Sequence, residues 1–123
     1  MTLDKTNFDC SNIGDNNVTL NLTDKSGNSA SGIAVVTVKD LIPPTVITQN
    51  ITVQLDATGN AVIVPALINN GSTDNCAIAT MSLDKTNFDC SNMGDNIVTL
   101  TVIDVNGNSD SKTATVKIED KLK

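Results

Sequence analysis

The word LDKTNFDCSN stands twice in this chain, from Leu3 to Asn12 and again from Leu83 to Asn92, and that recurrence limits the fold more than any other feature. Displaced by 80 positions, residues 3–40 align with 83–120 without a gap, and 24 of the 38 pairs are identical. A gapless echo of this length marks a tandem repeat, in which each copy is one structural unit. The segment from Leu41 to Ser82 occurs once, so the chain holds one complete unit of 80 residues and half of another. The ends read as cuts in a longer array, and Met1, which aligns with the internal Met81, reads as repeat sequence.

A unit of about 80 residues is small for an independent fold, because little surface is buried to offset chain entropy. The only aromatics, Phe8 and Phe88, occupy the same repeat position, so the core must be aliphatic. The net charge is -6, the eight cations are all Lys, and there is no His. No basic stripe follows from this, and nucleic acid is not an expected partner. No apolar run approaches the roughly 20 residues a membrane-spanning helix needs. Thirteen Asp and 16 Asn give many short oxygen-bearing side chains, which bond back to the backbone in turns and also ligate calcium.

Cysteine placement bears on the compartment. Cys76 and Cys90 lie 14 positions apart within the complete unit, and Cys10 is the repeat copy of Cys90, so its partner would fall before Met1. A Cys76–Cys90 disulfide would contribute about 3 kcal/mol on the chain-entropy account and would place the protein in an oxidising, extracellular setting. The alternative is a pair of reduced, buried thiols.

The dominant local signal is strand. In NIVTLTVID, Val98, Leu100 and Val102 alternate with Thr99, Thr101 and Ile103, and in KTATVKIED, Ala114, Val116 and Ile118 alternate with Thr115, Lys117 and Glu119. These are period-two patterns with one face inward. DVNGNS between them makes the pair a hairpin, and the earlier copy repeats the design. NITVQLDATGNAVIVP reads as another hairpin, which gives three D-x-x-G-N turns at Asp24, Asp56 and Asp104. LIPPT reads as a stiff linker, and ALINNGSTDNC as a loop crossing between sheets. Short strands follow at Ala77–Leu83 and near Phe88, and no segment shows a helical period. The expectation is an all-β protein of immunoglobulin-like β-sandwich modules in tandem. Residues 1–40 would be the C-terminal half of a preceding repeat, and 41–123 one complete repeat.

The order LIPPTVITQNITVQLDATGNA, then DNC, then GDNIVTLTVIDVNGNSDSKTATVKIED resembles the hyalin-repeat (HYR) type of immunoglobulin-like module. It is most similar to the repeats of very large Bacteroidetes surface adhesins, including those of flavobacterial gliding motility. The resemblance covers Leu41 to Asp120 and is carried by Pro43-Pro44, Asn50-Ile51, Asp74-Asn75-Cys76, Gly94, Val98-Thr99 and Asp104-x-x-Gly107-Asn108. It implies a sandwich, cell-surface display and a part in adhesion or spacing. Such modules usually carry one cysteine just before the N-I pair and another on the last strand. Here those places hold Thr48 and the Ser111–Thr113 region, which leaves Cys76 to look to Cys90.

Calcium is the sharpest site hypothesis. Asp104, Asn106, Asn108 and Asp110 stand at alternate positions, a spacing reminiscent of oxygen-lined calcium loops, while Asp40 and Asp120 close their strands at module junctions. Against this, Asp and Asn cap hairpin turns by accepting from nearby backbone N–H groups, and the earlier copy has Ser26 and Ala30 where the later has Asn106 and Asp110. Without His there is no Ser–His or Cys–His dyad, and no enzymatic activity is expected. Two functions stand: a spacer or stalk module whose partners are the neighbouring repeats, or a multivalent module for polysaccharide or another surface. The lack of Trp and Tyr, on which sugars commonly stack, favours the spacer.

Overall fold

The computed structural model describes residues 1–121. The chain divides into two compact units, Met1–Leu41 and a second from Ile42 onward, and no sheet is shared between them. Both are built from β-strands, with one helical turn of four residues and two 3-10 turns.

The first unit is a three-stranded antiparallel sheet of β1 (Thr2–Leu3), β2 (Gly14–Thr23) and β3 (Ser29–Val38), in the order β1-β2-β3. β2 and β3 join through the turn at Asp24, where Asp24 N–H donates to Asn28 O at 2.8 Å and Gly27 takes a φ of 86°. Glycine adopts that left-handed backbone without a Cβ penalty.

The second unit comprises β4 (Ile51–Gln54), β5 (Asn60–Val62), α1 (Pro65–Ile68), β6 (Ile78–Leu83), β7 (Asn87–Asp89), β8 (Gly94–Asp104) and β9 (Ser109–Glu119). One sheet runs β4-β9-β8-β6, and a second pairs β5 with β7. The β8–β9 hairpin forms as its alternation requires: Val98, Leu100, Val102, Ala114, Val116 and Ile118 are all buried. Val46, Leu55, Ala61, Ile63, Ile68 and Phe88 close the core against them. The register Gly94↔Ile118 through Ile103↔Ser109 in β8–β9 repeats Gly14↔Val38 through Thr23↔Ser29 in β2–β3, displaced by 80.

Three expectations are corrected. The strands flanking Asp56 are not a hairpin: β4 pairs parallel with β9, Ile51 opposite Val116, and β5 pairs antiparallel with β7. The local turn does form, with Asp56 N–H donating to Asn60 O at 2.8 Å. The two strands leaving it are then captured by different, more distant partners. LIPPT is not simply a linker, because Pro44 is fully buried and Thr45 bridges to Thr73 in the second unit. The crossing segment contains α1, whose first residue is Pro65. Four residues are too few to show a helical period, but proline fits the first helical position, which needs no N–H partner.

Candidate functional site

The three D-x-x-G-N turns share one geometry. In each the Asp carboxylate accepts from the backbone N–H two residues on, at 2.9 Å for Ser26, 2.9 Å for Thr58 and 2.8 Å for Asn106. It also accepts from the N–H four residues on, at 2.9, 3.1 and 2.9 Å. Asp104 and Asp24 each receive a further bond, from Asn108 Nδ2 at 3.0 Å and from Asn28 Nδ2 at 3.2 Å. These are turn-capping bonds of the kind short acidic side chains make.

Asp104 differs from its counterparts in burial. It is 2 % exposed, whereas Asp24 and Asp56 are open to solvent. Facing it is Asp74, from the irregular segment before β6, with one carboxylate oxygen of each residue within 4.8 Å of the other. Asp74 Oδ2 accepts from Cys76 N–H at 3.0 Å, but Asp74 Oδ1 is shut off from solvent with no hydrogen-bond partner among the described residues. An orphaned buried carboxylate oxygen beside a second carboxylate is costly unless a cation compensates it. An all-oxygen donor set suits a hard cation such as calcium.

Of the four residues expected at alternate positions in the turn, Asp104 is the one that faces Asp74. Asp110 is exposed, and its Oδ1 accepts from Ser111 N–H at 2.9 Å. Asn106 and Asn108 are half-buried parts of the turn. Asp120 is exposed just past β9, and Asp40 is buried in the first unit, two residues past β3. Alternate residues share a face in a strand but not through a tight turn, and this separates Asp110 from Asp104. Asp74 was legible only as the first letter of the DNC motif.

The cysteines also differ from expectation. Cys90 is a free, exposed thiol, and Cys76 and Cys10 are disulfide-bonded, so the Cys76–Cys90 bridge is not formed. Loop-closure entropy sets what a bridge would contribute, but it does not bring the sulfurs together. Cys90 follows β7, which pairs with β5, and its Sγ lies 3.9 Å from Gly59 O. Cys76 precedes β6, in the other sheet. Gly59 is doubly required here: its φ is 81°, and a Cβ would meet Cys90 Sγ at 3.0 Å. Alkylation of the native, unreduced chain is expected to add a single label, at Cys90, and peptide mass mapping checks it. A label on Cys76 would contradict the assignment.

No family model matches the chain, and no curated protein matches it. Its chemistry therefore rests on its own geometry. That geometry repeats with notable fidelity in local detail. Asp9 and Asp89 cap their 3-10 turns through Ser11 and Ser91 N–H at 2.9 and 2.8 Å. Asn16 and Asn96 reach Asn12 O and Asn92 O at 2.7 Å. Lys5 and Lys85 sit 5.4 and 5.2 Å from the ring centres of Phe8 and Phe88.

The capping bonds lower several carboxyl pKa values from their ordinary positions. The Ser11 and Ser91 hydroxyls do this for Asp9 and Asp89, Asn28 N–H for Asp24, the Thr58 hydroxyl for Asp56, and the Gln54 amide for Glu119. A carboxyl with a lower folded than unfolded pKa binds its proton more readily when unfolded. Its stabilisation is complete above the ordinary value, 3.8 for Asp and 4.5 for Glu, and is lost as pH falls through the folded value. Melting temperature is expected to be level from about pH 6 to 8 and to fall below about pH 4. A midpoint unchanged down to about pH 2 would contradict it.

Proposed function

We propose that this chain is part of a structural array: immunoglobulin-like β-sandwich repeats in tandem, serving as the spacer or stalk of an extracellular surface adhesin of the HYR-like type. The observation that carries the reading is the recurrence, 80 residues apart, of the same hairpin register, turn bonds and 3-10 caps. What the copies share is what holds a bead together. In the second unit two sheets enclose one apolar core, aliphatic but for Phe88, an arrangement that favours the sandwich. A bead used as a spacer needs stability, solubility and little else. Neighbouring repeats are its partners, and surface attachment or gliding motility is the setting the HYR-like resemblance implies.

Calcium forms part of this reading. Asp104 and Asp74 are the ligands favoured by the orphaned oxygen of Asp74, and a bound cation would stiffen the bead by binding the folded state alone. The second reading, a multivalent polysaccharide module, is favoured by a polar hollow of about 390 Å³ lined by Asn50, Thr52, Asp95 and Lys117.

Thermal melts of the chain in calcium and in EDTA, together with binding to a panel of polysaccharides, test these readings. The spacer is expected to bind no glycan and to melt several degrees higher with calcium at 100 times its Kd, a gain of about 2.7 kcal/mol. Asp74→Asn should abolish the calcium shift. Saturable glycan binding would replace the spacer reading with the adhesive one, and equal melts in both buffers would remove calcium.

A further inference from the structure

The two units contain the same hairpin in two states of cover. In the second unit the inward residues Val98, Leu100, Val102, Ala114, Val116 and Ile118 are each no more than 5 % exposed. Their counterparts in the first unit are Val18, Leu20, Leu22, Ala34, Val36 and Val38, apolar at every position. Of these only Val18 is buried; Leu22 is 47 % exposed, Ala34 is exposed, and Leu20, Val36 and Val38 are half-buried. β3 is the edge of its sheet, whereas its counterpart β9 lies between β8 and β4.

The second unit shows what covers such a face. Five members of its core, Val46, Leu55, Ala61, Ile63 and Ile68, come from the segment that occurs once in the sequence. The same segment closes the edge of β9. Ile51–Gln54 runs parallel to Val116–Glu119. Asn50 Oδ1 accepts from Thr115 N–H at 2.9 Å, the Thr48 hydroxyl donates to Thr113 O at 2.9 Å, and Leu55 N–H donates to Glu119 O at 2.9 Å. It also sets the conformation of identical sequence elsewhere. Asn87–Asp89 is a strand because β5 pairs with it, while Asn7–Asp9, the same three residues, is not.

We infer that the first unit is an acceptor for a segment of the residue 42–80 type from another copy of the repeat. Its Ile51–Gln54 strand would add to the open edge of β3 opposite Val36–Lys39. Its Val46, Leu55, Ile63 and Ile68 would cover Leu20, Leu22, Val36 and Val38. Its Asn60–Val62 strand would convert Asn7–Asp9 into a strand. Backbone bonds along an open edge supply affinity and the apolar pockets supply specificity, the general logic of strand addition. The inference uses only the internal repeat and stands independently of the spacer and calcium readings.

The test is amide hydrogen exchange on two proteins: the full chain, and the full chain preceded by a second copy of residues 42–80, which keeps the 80-residue period. The informative amides are Val35 and Thr37, the counterparts of Thr115 and Lys117. Thr115 and Lys117 report on the intact second unit in the same molecule. The extended chain is expected to slow exchange at Val35 and Thr37 by about tenfold or more, towards the rates at Thr115 and Lys117. Adding the 42–80 peptide in excess to the full chain should give a saturable part of the same effect. A control extension with Leu55, Ile63 and Ile68 of the added copy changed to Asp should give none. Unchanged exchange in both the fused and the added form would overturn the inference, and so would equal protection by the control.

Discussion

Leu100→Ala is expected to destabilise the second unit by about 3 kcal/mol, in the range of roughly 2–5 for a fully buried leucine, while Leu20→Ala at the same repeat position should cost about 1 kcal/mol or less. Leu100 is 0 % exposed and belongs to the core with Val46, Leu55, Ile63 and Ile68. Removing its side chain forfeits both the transfer free energy and the contacts of neighbours that cannot collapse into the gap. Leu20 follows the same Val-Thr pair as Leu100, Val18 and Thr19 against Val98 and Thr99, but it is only half-buried. Water already reaches the space that truncation would open, so little packing is lost. Urea unfolding of the two variants against the parent chain gives both numbers. Equal losses would mean that Leu20 is as enclosed as Leu100 in solution, and would remove the contrast on which the acceptor face rests.

What the sequence makes legible is what a few consecutive residues decide. The alternation of Val98, Leu100 and Val102, and the turn chemistry of Asp104, Gly107 and Asn108, specify the β8–β9 hairpin without help, and the structure has it in register. Pairings made at long range are not legible in the same way. β4 reaches β9 across 65 residues, Asn50 to Thr115, and nothing in NITVQLDATGNAVIVP says that its two strands part company after the turn. The tripeptide Asn-Phe-Asp makes the limit concrete: it is a strand at 87–89 and none at 7–9, so its conformation is a property of its partner. The candidate site follows the same rule. Asp104 was visible as a turn residue, but its proximity to Asp74 arises from the path of an irregular segment that carries no periodicity. The cysteines failed for a related reason, since a short separation along the chain joins two different sheets at Cys76 and Cys90.

Asp104→Ala is expected to cost the second unit about 3 kcal/mol, far more than Asp24→Ala at the equivalent turn. Three bonds end on the Asp104 carboxylate, from Asn106 N–H, Asn108 N–H and Asn108 Nδ2. Bonds to a charged acceptor are each worth about 1.5–3 kcal/mol, and truncation also leaves buried or half-buried donors unsatisfied. In the Asp24 turn the same donors face solvent, and water replaces the lost acceptor. Asp104→Asn separates capping from cation binding. It keeps an oxygen at the capping position while removing the charge opposite Asp74, so most of the stability lost in Asp104→Ala should return in EDTA. If a cation is held there, the calcium-dependent rise in melting temperature should disappear in Asp104→Asn and survive in Asp24→Asn. A variant that recovers neither stability nor calcium response would show that capping itself depends on the full charge. One that recovers stability and still responds to calcium would place the cation elsewhere than between Asp104 and Asp74.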